Sequence, residues 1–478
     1  MKFLKQSINK YSLLIILCFS LNLISFSQNI SREEKIYGLS KLWSEITYNY
    51  PYYEHIPFDF DSLYVDYTTK VINSESDYEY YRLLQRFVCS LHEGHTAVVF
   101  PTGISKKIKQ FQLWCYRVNN KIYVIRSGSY TNESIINRTN FSDFFSNVEE
   151  VDEIPIGSEV LTVNSIPIHN FIDSVIFPYS PVRKEIRYKY LCESMFWYYS
   201  KDTIISVGIK RPDGVEKTFL INCVKDVCPR WNKGFNPYPS ENKLELLDSN
   251  IFYVHFKDFL DYDFLNSFSA KGDSILKTKG LVIDLRHCIG GYNYNPRLLP
   301  CFCSDSVFPC VVESRKIEPV KRLQMVNVDN NTNSIYNIKY GSQMETSKNE
   351  HFCLYRQDTF PNPMWQIDEQ YIYKGKIAIL TDEQTASAAE FFILGMKQLT
   401  KAVIIGSPTY GSTMSAFKIP LPYGGEGHIM SCRMLNPDGS IFKGIEPDIY
   451  FEPTIEEVIS GKDAMLEKAI KYILEQNN

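Results

Sequence analysis

The 478-residue chain is 44% hydrophobic, 14% aromatic and 22% charged, which excludes whole-chain disorder and fits roughly two to four globular domains. Gly and Pro stand at 23 each, ruling out collagen-like or linker-dominated architecture. A net charge of −4, from 51 basic and 55 acidic residues, gives no electrostatic grip on nucleic acid.

Residues 1–27 have the make-up of a secretory signal. Lys2, Lys5 and Lys10 form a basic start, Leu13–Ile24 is apolar, and Ser25 and Ser27 put small side chains at −3 and −1 of a cleavage site. Asn22 and several serines break the apolar run short of the roughly 20 residues that a membrane span needs. Lipoprotein processing at Cys18 is disfavoured by bulky Leu17. The expectation is export, to the periplasm or cell envelope, of a chain without an integral membrane segment. Loss of three lysines takes the net charge from −4 to −7. Twelve cysteines are too dilute for a disulfide scaffold; losing Cys18 leaves an odd number and at least one thiol unpaired within the chain. The spacings Cys223/Cys228 and Cys301/Cys303/Cys310 do not make paired C-x-x-C zinc knuckles.

Residues 28–104 read as a helical segment. Ile36, Leu39, Leu42, Trp43 and Ile46 recur at helical spacing behind Ser31, with Glu34 three residues on, so a capped helix is expected over Glu33–Tyr50. A second follows over Asp77–Leu91 and ends at Gly94, before a strand at Ala97–Phe100. Residues 105–225 alternate as strands at Phe111–Val118, Ile122–Ser127, Ser158–Val163, Ile204–Lys210 and Thr218–Cys223. The run Ile156–Ile168 resembles the strand-and-turn signature of a PDZ domain, a module that takes an extended peptide at a sheet edge. Residues 226–248 are polar, with several Pro and Gly, and read as a linker.

Residues 249–478 alternate between strands and helices: Ile251–Phe256, a helix near Phe264–Lys277, Gly280–Leu285, Lys376–Leu380, a helix at Ala386–Gln398, and Ala402–Ile405. That order predicts an α/β unit around a buried mixed sheet. The Asn-rich stretch 326–350 reads as an insertion loop.

Three segments end buried strands with exposed turn chemistry. Gly280-Leu281-Val282-Ile283-Asp284-Leu285-Arg286 runs into Gly290-Gly291, whose backbone allows close approach of a ligand. Thr381–Glu390 turns into a helix with Ser387 at its start, where developing negative charge is favoured. Val403-Ile404-Ile405-Gly406 runs into Pro408-Thr409-Tyr410-Gly411-Ser412. A serine at a helix start is ordinarily a cap, so each segment alone is weak.

In this order and spacing the segments resemble the tail-specific, or C-terminal processing, serine peptidase family, together with His95-Thr96 upstream, the PDZ-like stretch and Gly444-Ile445-Glu446-Pro447-Asp448. The resemblance spans roughly residues 35–455. It implies a crotonase-like or ClpP-like α/β catalytic core with an inserted PDZ-like domain, a peptide or protein substrate, and Ser–His acyl chemistry that needs no cofactor. It places Ser387 as nucleophile and the amides of Ala388 and Gly291, or neighbouring Gly290, as the oxyanion hole. Many bacterial members carry a lysine 25 residues beyond the nucleophile; here that position is Ser412, and Gln398 stands where a supporting acid would fall. The family's tricorn-like branch instead takes its base from the upstream histidine, which makes His95 the expected general base. Imidazole can accept the serine proton near neutral pH. Gly94 replaces the serine that usually precedes that histidine, leaving Glu446 as candidate orienting carboxylate and Ser412 as an auxiliary polar contact. A second reading stays open, a non-catalytic peptide-binding protein of the envelope on the same fold.

The remaining polar residues have plainer roles. His92 and His95 lack the H-E-x-x-H spacing of a zinc pair, so no metal is expected. Arg286 should pair with a carboxylate and fix its loop, while His287 is an alternative base or a substrate contact. Trp43, Tyr48, Tyr50, Tyr52 and Tyr53 read as packing rather than a sugar platform.

Overall fold

The computed structural model describes residues 30–104, 109–111, 113–127, 154–192, 196–198, 204–224, 241–292, 294–303, 311–315, 344–346, 352–356, 368–411, 416–436 and 438–475. The expected signal, Ser412 and most of the stretch 326–350 lie outside them. The architecture is mixed α/β with several sheets.

A six-stranded sheet forms the centre, in the order Lys243–Leu247, Ile251–His255, Gly280–Asp284, Lys376–Thr381, Val403–Gly406 and Ile449–Tyr450. The first pair is antiparallel and every later pair parallel. Lys243–Leu247 corrects the reading of all of 226–248 as linker. As an edge strand it alternates Lys243, Glu245 and Leu247 with only partial burial, and so looked like loop.

Alternation along the central strands explains why both faces are covered. Phe252, Val254, Leu281, Ile283, Ile377, Ile379 and Ile404 enter one core with Phe392, Ile393 and Met396 of the helix Ala388–Leu399. Their neighbours Ile251, Tyr253, Val282, Ala378, Leu380 and Ile405 pack on the other side against Met465, Ala469 and Ile473 of the helix Ala464–Glu475. Strands buried on both faces read as unbroken apolar runs, and that is how they were found in the sequence. Each such Val, Leu or Ile contributes about 1.5–3 kcal/mol by leaving water.

Helices Arg32–Asn49, Phe60–Ile72 and Asp77–Cys89 make up the N-terminal segment. Ser31 and Glu34 close the expected capping box. The middle helix was not read from sequence; Asp59 caps it by accepting from the amides of Asp61 and Ser62. All three helices share a core with the strands Ala416–Leu421 and Gly425–Met430. Ala97–Val99 pairs antiparallel with Gly425–Met430, joining the two ends of the chain. Trp43 stacks on Tyr64, Tyr50 is buried and Tyr48 is exposed, so most of the aromatic cluster is packing.

Between these units lies an antiparallel sheet containing Leu113–Val118, Lys121–Ser127, Glu159–Val163, Ile204–Lys210 and Glu216–Val224. Its core takes in Phe171, Ile172 and Phe177 from the segment after Glu159–Val163, and also Tyr410 from the α/β unit. Among the described residues no helix is long and apolar enough to cross a membrane.

Candidate active site

The site forms where the parallel strands Gly280–Asp284 and Lys376–Thr381 end side by side, the edge at which open α/β sheets present their ligands. Arg286 anchors the first loop. It is fully buried, grips Asp284 through Nε and Nη2 at 2.8 and 2.6 Å, and reaches Asp463 at 2.8 and 2.7 Å. Burial alone would raise the Asp284 carboxyl, but Arg286 outweighs it and holds it below the usual range. The expected carboxylate partner is therefore present twice over.

Beyond Arg286 the chain turns through His287 and Cys288 to Gly290-Gly291. Gly290 has φ +82°, and a Cβ there would stand 2.6 Å from the Ala388 amide nitrogen and 2.8 Å from Ser387 Cβ. Gly291 has φ +139° and sits against Phe259. Only glycine lets the two loops approach so closely. Burial pushes the Cys288 thiol well up, and the Gly290 amide, which faces that sulfur, opposes the shift. Among the described residues the Gly291 and Ala388 amides have no acceptor, which leaves them available to a ligand.

Ser387 opens the helix Ala388–Leu399 at φ 58° and ψ −124°, a left-handed conformation that a residue with a Cβ rarely takes. Its amide donates to Glu390 Oε2 at 3.1 Å. Glu390 is fully buried and also accepts from Thr409 Oγ1 at 2.5 Å and the Gly411 amide at 2.7 Å, so one carboxylate ties the Ser387 turn to the third motif. The serine itself is only half-buried and open to a reactant.

Two further carboxylates precede it. Asp382 accepts from the amides of His287, Gln384 and Thr385, each at 3.0 Å, and lies 2.6 Å from His287 Nδ1. Burial would raise its carboxyl, yet His287 and the converging donors hold it well below the usual range. Glu383 points the other way, 2.9 Å from Lys189 Nζ and accepting from Ser407 Oγ at 2.8 Å. There burial wins, and its carboxyl is raised despite the lysine.

His95 arrives from the N-terminal segment, in the turn closed by the Thr96 amide on the Glu93 carbonyl at 3.2 Å. Glu93 is buried; its carboxylate accepts from the His95 amide at 3.0 Å and from Thr96 Oγ1 at 2.8 Å, and stands 3.7 Å from His95 Nδ1. Gly94 explains how the turn meets the nucleophile loop. A Cβ on it would lie 2.3 Å from Tyr410 Cε1, while the Tyr410 amide donates to the Thr385 carbonyl at 2.9 Å. Tyr410 thus spaces the His95 turn from the loop that ends in Ser387.

Ser387 and Ala388 are brought against Gly290, next to Gly291, while Gly94, beside His95, packs on Tyr410, whose amide bonds the Thr385 carbonyl. Glu446 is exposed and makes no hydrogen bond or ion pair among the described residues; it follows Ile445, whose amide donates to Thr409 Oγ1 at 2.8 Å. Sequence reasoning passed over Glu93 and Asp382. The first had a signal, a carboxylate two positions before the histidine; the second had none, since its partner His287 is 95 positions away. Seven described cysteines are free thiols, and among the described residues no cluster of three His, Cys, Asp or Glu could hold a metal.

Residues 250–451 match the family model of peptidase family S41. In overall structure, mature CPAF complexed with lactacystin aligns at a TM-score of 0.64 and 15% identity, over 94% of this chain and 99% of that one. A CPAF serine-to-alanine mutant aligns at 0.66 and 15% identity, over 94% and 98%. The tricorn protease aligns at 0.44 and 15% identity, over 94% of this chain and 37% of its own. The CPAF likeness shows a shared fold, and residues 250–451 are similar to the serine peptidases of family S41.

Proposed function

We propose that this chain is an S41-type serine peptidase that cleaves peptide bonds through an acyl-enzyme on Ser387, with His95 as general base. The strained Ser387 turn carries the reading. A serine that takes part in a capping box yet is held at φ 58° on a helix N-terminus, directly against Gly290, is placed for attack as well as for capping.

Ser387 Oγ attacks the scissile carbonyl as its proton passes to His95. The oxyanion accepts hydrogen bonds from the Gly291 and Ala388 amides, each worth about 10²–10³ in rate, with the N-terminal dipole of Ala388–Leu399 behind them. The tetrahedral intermediate collapses as His95 returns the proton to the leaving amine. Water, deprotonated by His95, then releases the acyl group by the same route in reverse. Glu93, beside His95 Nδ1, joins Glu446 as a candidate to orient the imidazole.

The antiparallel sheet within 105–225 is proposed as a PDZ-like module that presents an extended or C-terminal peptide, and the central unit as a crotonase-like core. Export to the periplasm or envelope, proposed on the leader Met1–Ser27, completes the picture of a tail-specific enzyme. A fluorophosphonate probe on the purified protein tests the chemistry. Labelling that vanishes in Ser387→Ala supports the peptidase. A folded protein that never labels is a peptide-binding relative instead.

A further inference from the structure

Resting on that reading of Ser387, we infer that His287 and Asp382 are positioning residues that hold the Gly290-Gly291 loop against the Ser387–Ala388 turn and so set the width of the oxyanion hole. The two loops leave the sheet from neighbouring strands, and the Leu285 amide on the Leu380 carbonyl at 3.0 Å is the last rung of the ladder. Past that rung, further ties join them. Thr385 Oγ1 donates to the Leu285 carbonyl at 2.8 Å, and the Ala386 amide to the Cys288 carbonyl at 2.9 Å. Two more belong to one pair of residues: the His287 amide on Asp382 at 3.0 Å, and His287 Nδ1 2.6 Å from Asp382 Oδ2.

That pair sets an imidazole nitrogen directly against a carboxylate between the loops. Its side chains are 12% and 6% exposed, so solvent screens it little. His287 takes this place at φ 59°, where asparagine or glycine would sit with less strain. Neither could set an imidazole nitrogen against Asp382. Asp382 in turn gathers the amides of Gln384 and Thr385, organising the turn that delivers Ser387. The fit it maintains has no slack, since a Cβ at Gly290 would already collide with the Ala388 nitrogen.

The test uses the full chain and its variants His287→Ala, His287→Asn, Asp382→Asn and His287→Ala/Asp382→Asn. Turnover of a fluorogenic peptide, thermal melting and hydrogen–deuterium exchange of amides 286–291 are measured for each. His287→Ala should lower kcat by about 10–100-fold, the penalty of a misplacement near 1 Å, leave KM within about threefold, and speed exchange across 286–291. His287→Asn, which tolerates the backbone and can still hydrogen-bond Asp382, should recover most of kcat. The double variant should be no worse than its worse parent, because the residues act as a unit. If Asp382→Asn does not fold, the two His287 variants still decide the matter. Unchanged exchange in His287→Ala would overturn the inference. So would equal loss of activity in His287→Ala and His287→Asn with the loop still protected, which would make the imidazole a base. A wild type that neither turns over peptide nor reacts with a fluorophosphonate would refute the peptidase reading alone, and the exchange comparison would still decide whether the pair holds the loop.

Discussion

The Ser387 half of the site and the His95 half are held by different physics. Ser387 and the two glycines follow adjacent parallel strands, their loops joined by backbone hydrogen bonds and buried Asp382, with buried Glu390 tying the Ser387 turn to Thr409 and Gly411. His95 stands on a short turn from another segment, set by Glu93 within the turn and by Gly94 against Tyr410 across the gap. One half is wired and the other is leaned into place. Directional bonds in a water-poor setting fix geometry tightly, whereas packing tolerates small shifts until a side chain collides. The base side is therefore where modest changes should alter activity without unfolding the protein.

The harshest way to break the comparison is Ser387→Ala, which should cut turnover by about 10⁴–10⁶-fold with little change in melting temperature, read by peptide hydrolysis alongside a thermal scan. Unaltered hydrolysis would dismiss the wired half as the reactive one. Gly94→Ala probes the leaned half. The added methyl must displace Tyr410 or the His95 turn, and a shift near 1 Å should lower kcat/KM by about 10²-fold while destabilising by about 1–3 kcal/mol. Normal kinetics in that variant would mean that Tyr410 is not the spacer.

His92 gives a gentler contrast through pH. Burial, with Lys184 and Arg187 nearby, lowers its pKa from 6.5 to about 4, and its ring stacks on Phe177 at 4.5 Å. The unfolded chain therefore binds the proton more readily than the folded one between those values. Stability should be complete above pH 6.5 and fall as pH drops toward 4, by about 1–2 kcal/mol after allowance for partial exposure. His92→Phe should keep the stack and flatten that stretch of a urea-denaturation pH series; an unchanged slope would assign the acid sensitivity elsewhere. Smallest is Ser31→Ala, which removes one arm of the capping box on Arg32–Asn49. About 1 kcal/mol of stability should go, with kcat untouched. A change in kcat would mean that the N-terminal helices transmit strain to the base.

The same division governs what the sequence revealed. Gly280–Leu285 and Ile377–Leu380 stood out because strands covered on both faces are apolar throughout, and the turns that follow them carry the chemistry. Lys243–Leu247 was hidden by its place at the sheet edge, and Phe60–Ile72 by an apolar face interrupted with Asp66, Thr68 and Thr69. The pairs that tune the site were out of reach. His287 with Asp382, Lys189 with Glu383 and Gly94 with Tyr410 meet only because the sheet order and the interposed β region bring distant turns together. Local periodicity carries no record of such meetings.

The Met430 amide donates to Thr96 Oγ1 across 334 positions of sequence, and Ala97–Val99 pairs with the strand that ends at Met430. The turn that bears His95 thus acquires its support only from some of the last strands to be synthesised. Contacts this remote form late and slowly, because the loop they close spans 334 positions. An emerging chain can fold its early helices, yet it lacks the nucleophile and the support for its base until most of the chain has been made. On the proposed assignment of Ser387 and His95, the reactive centre is completed by the same step that closes the molecule.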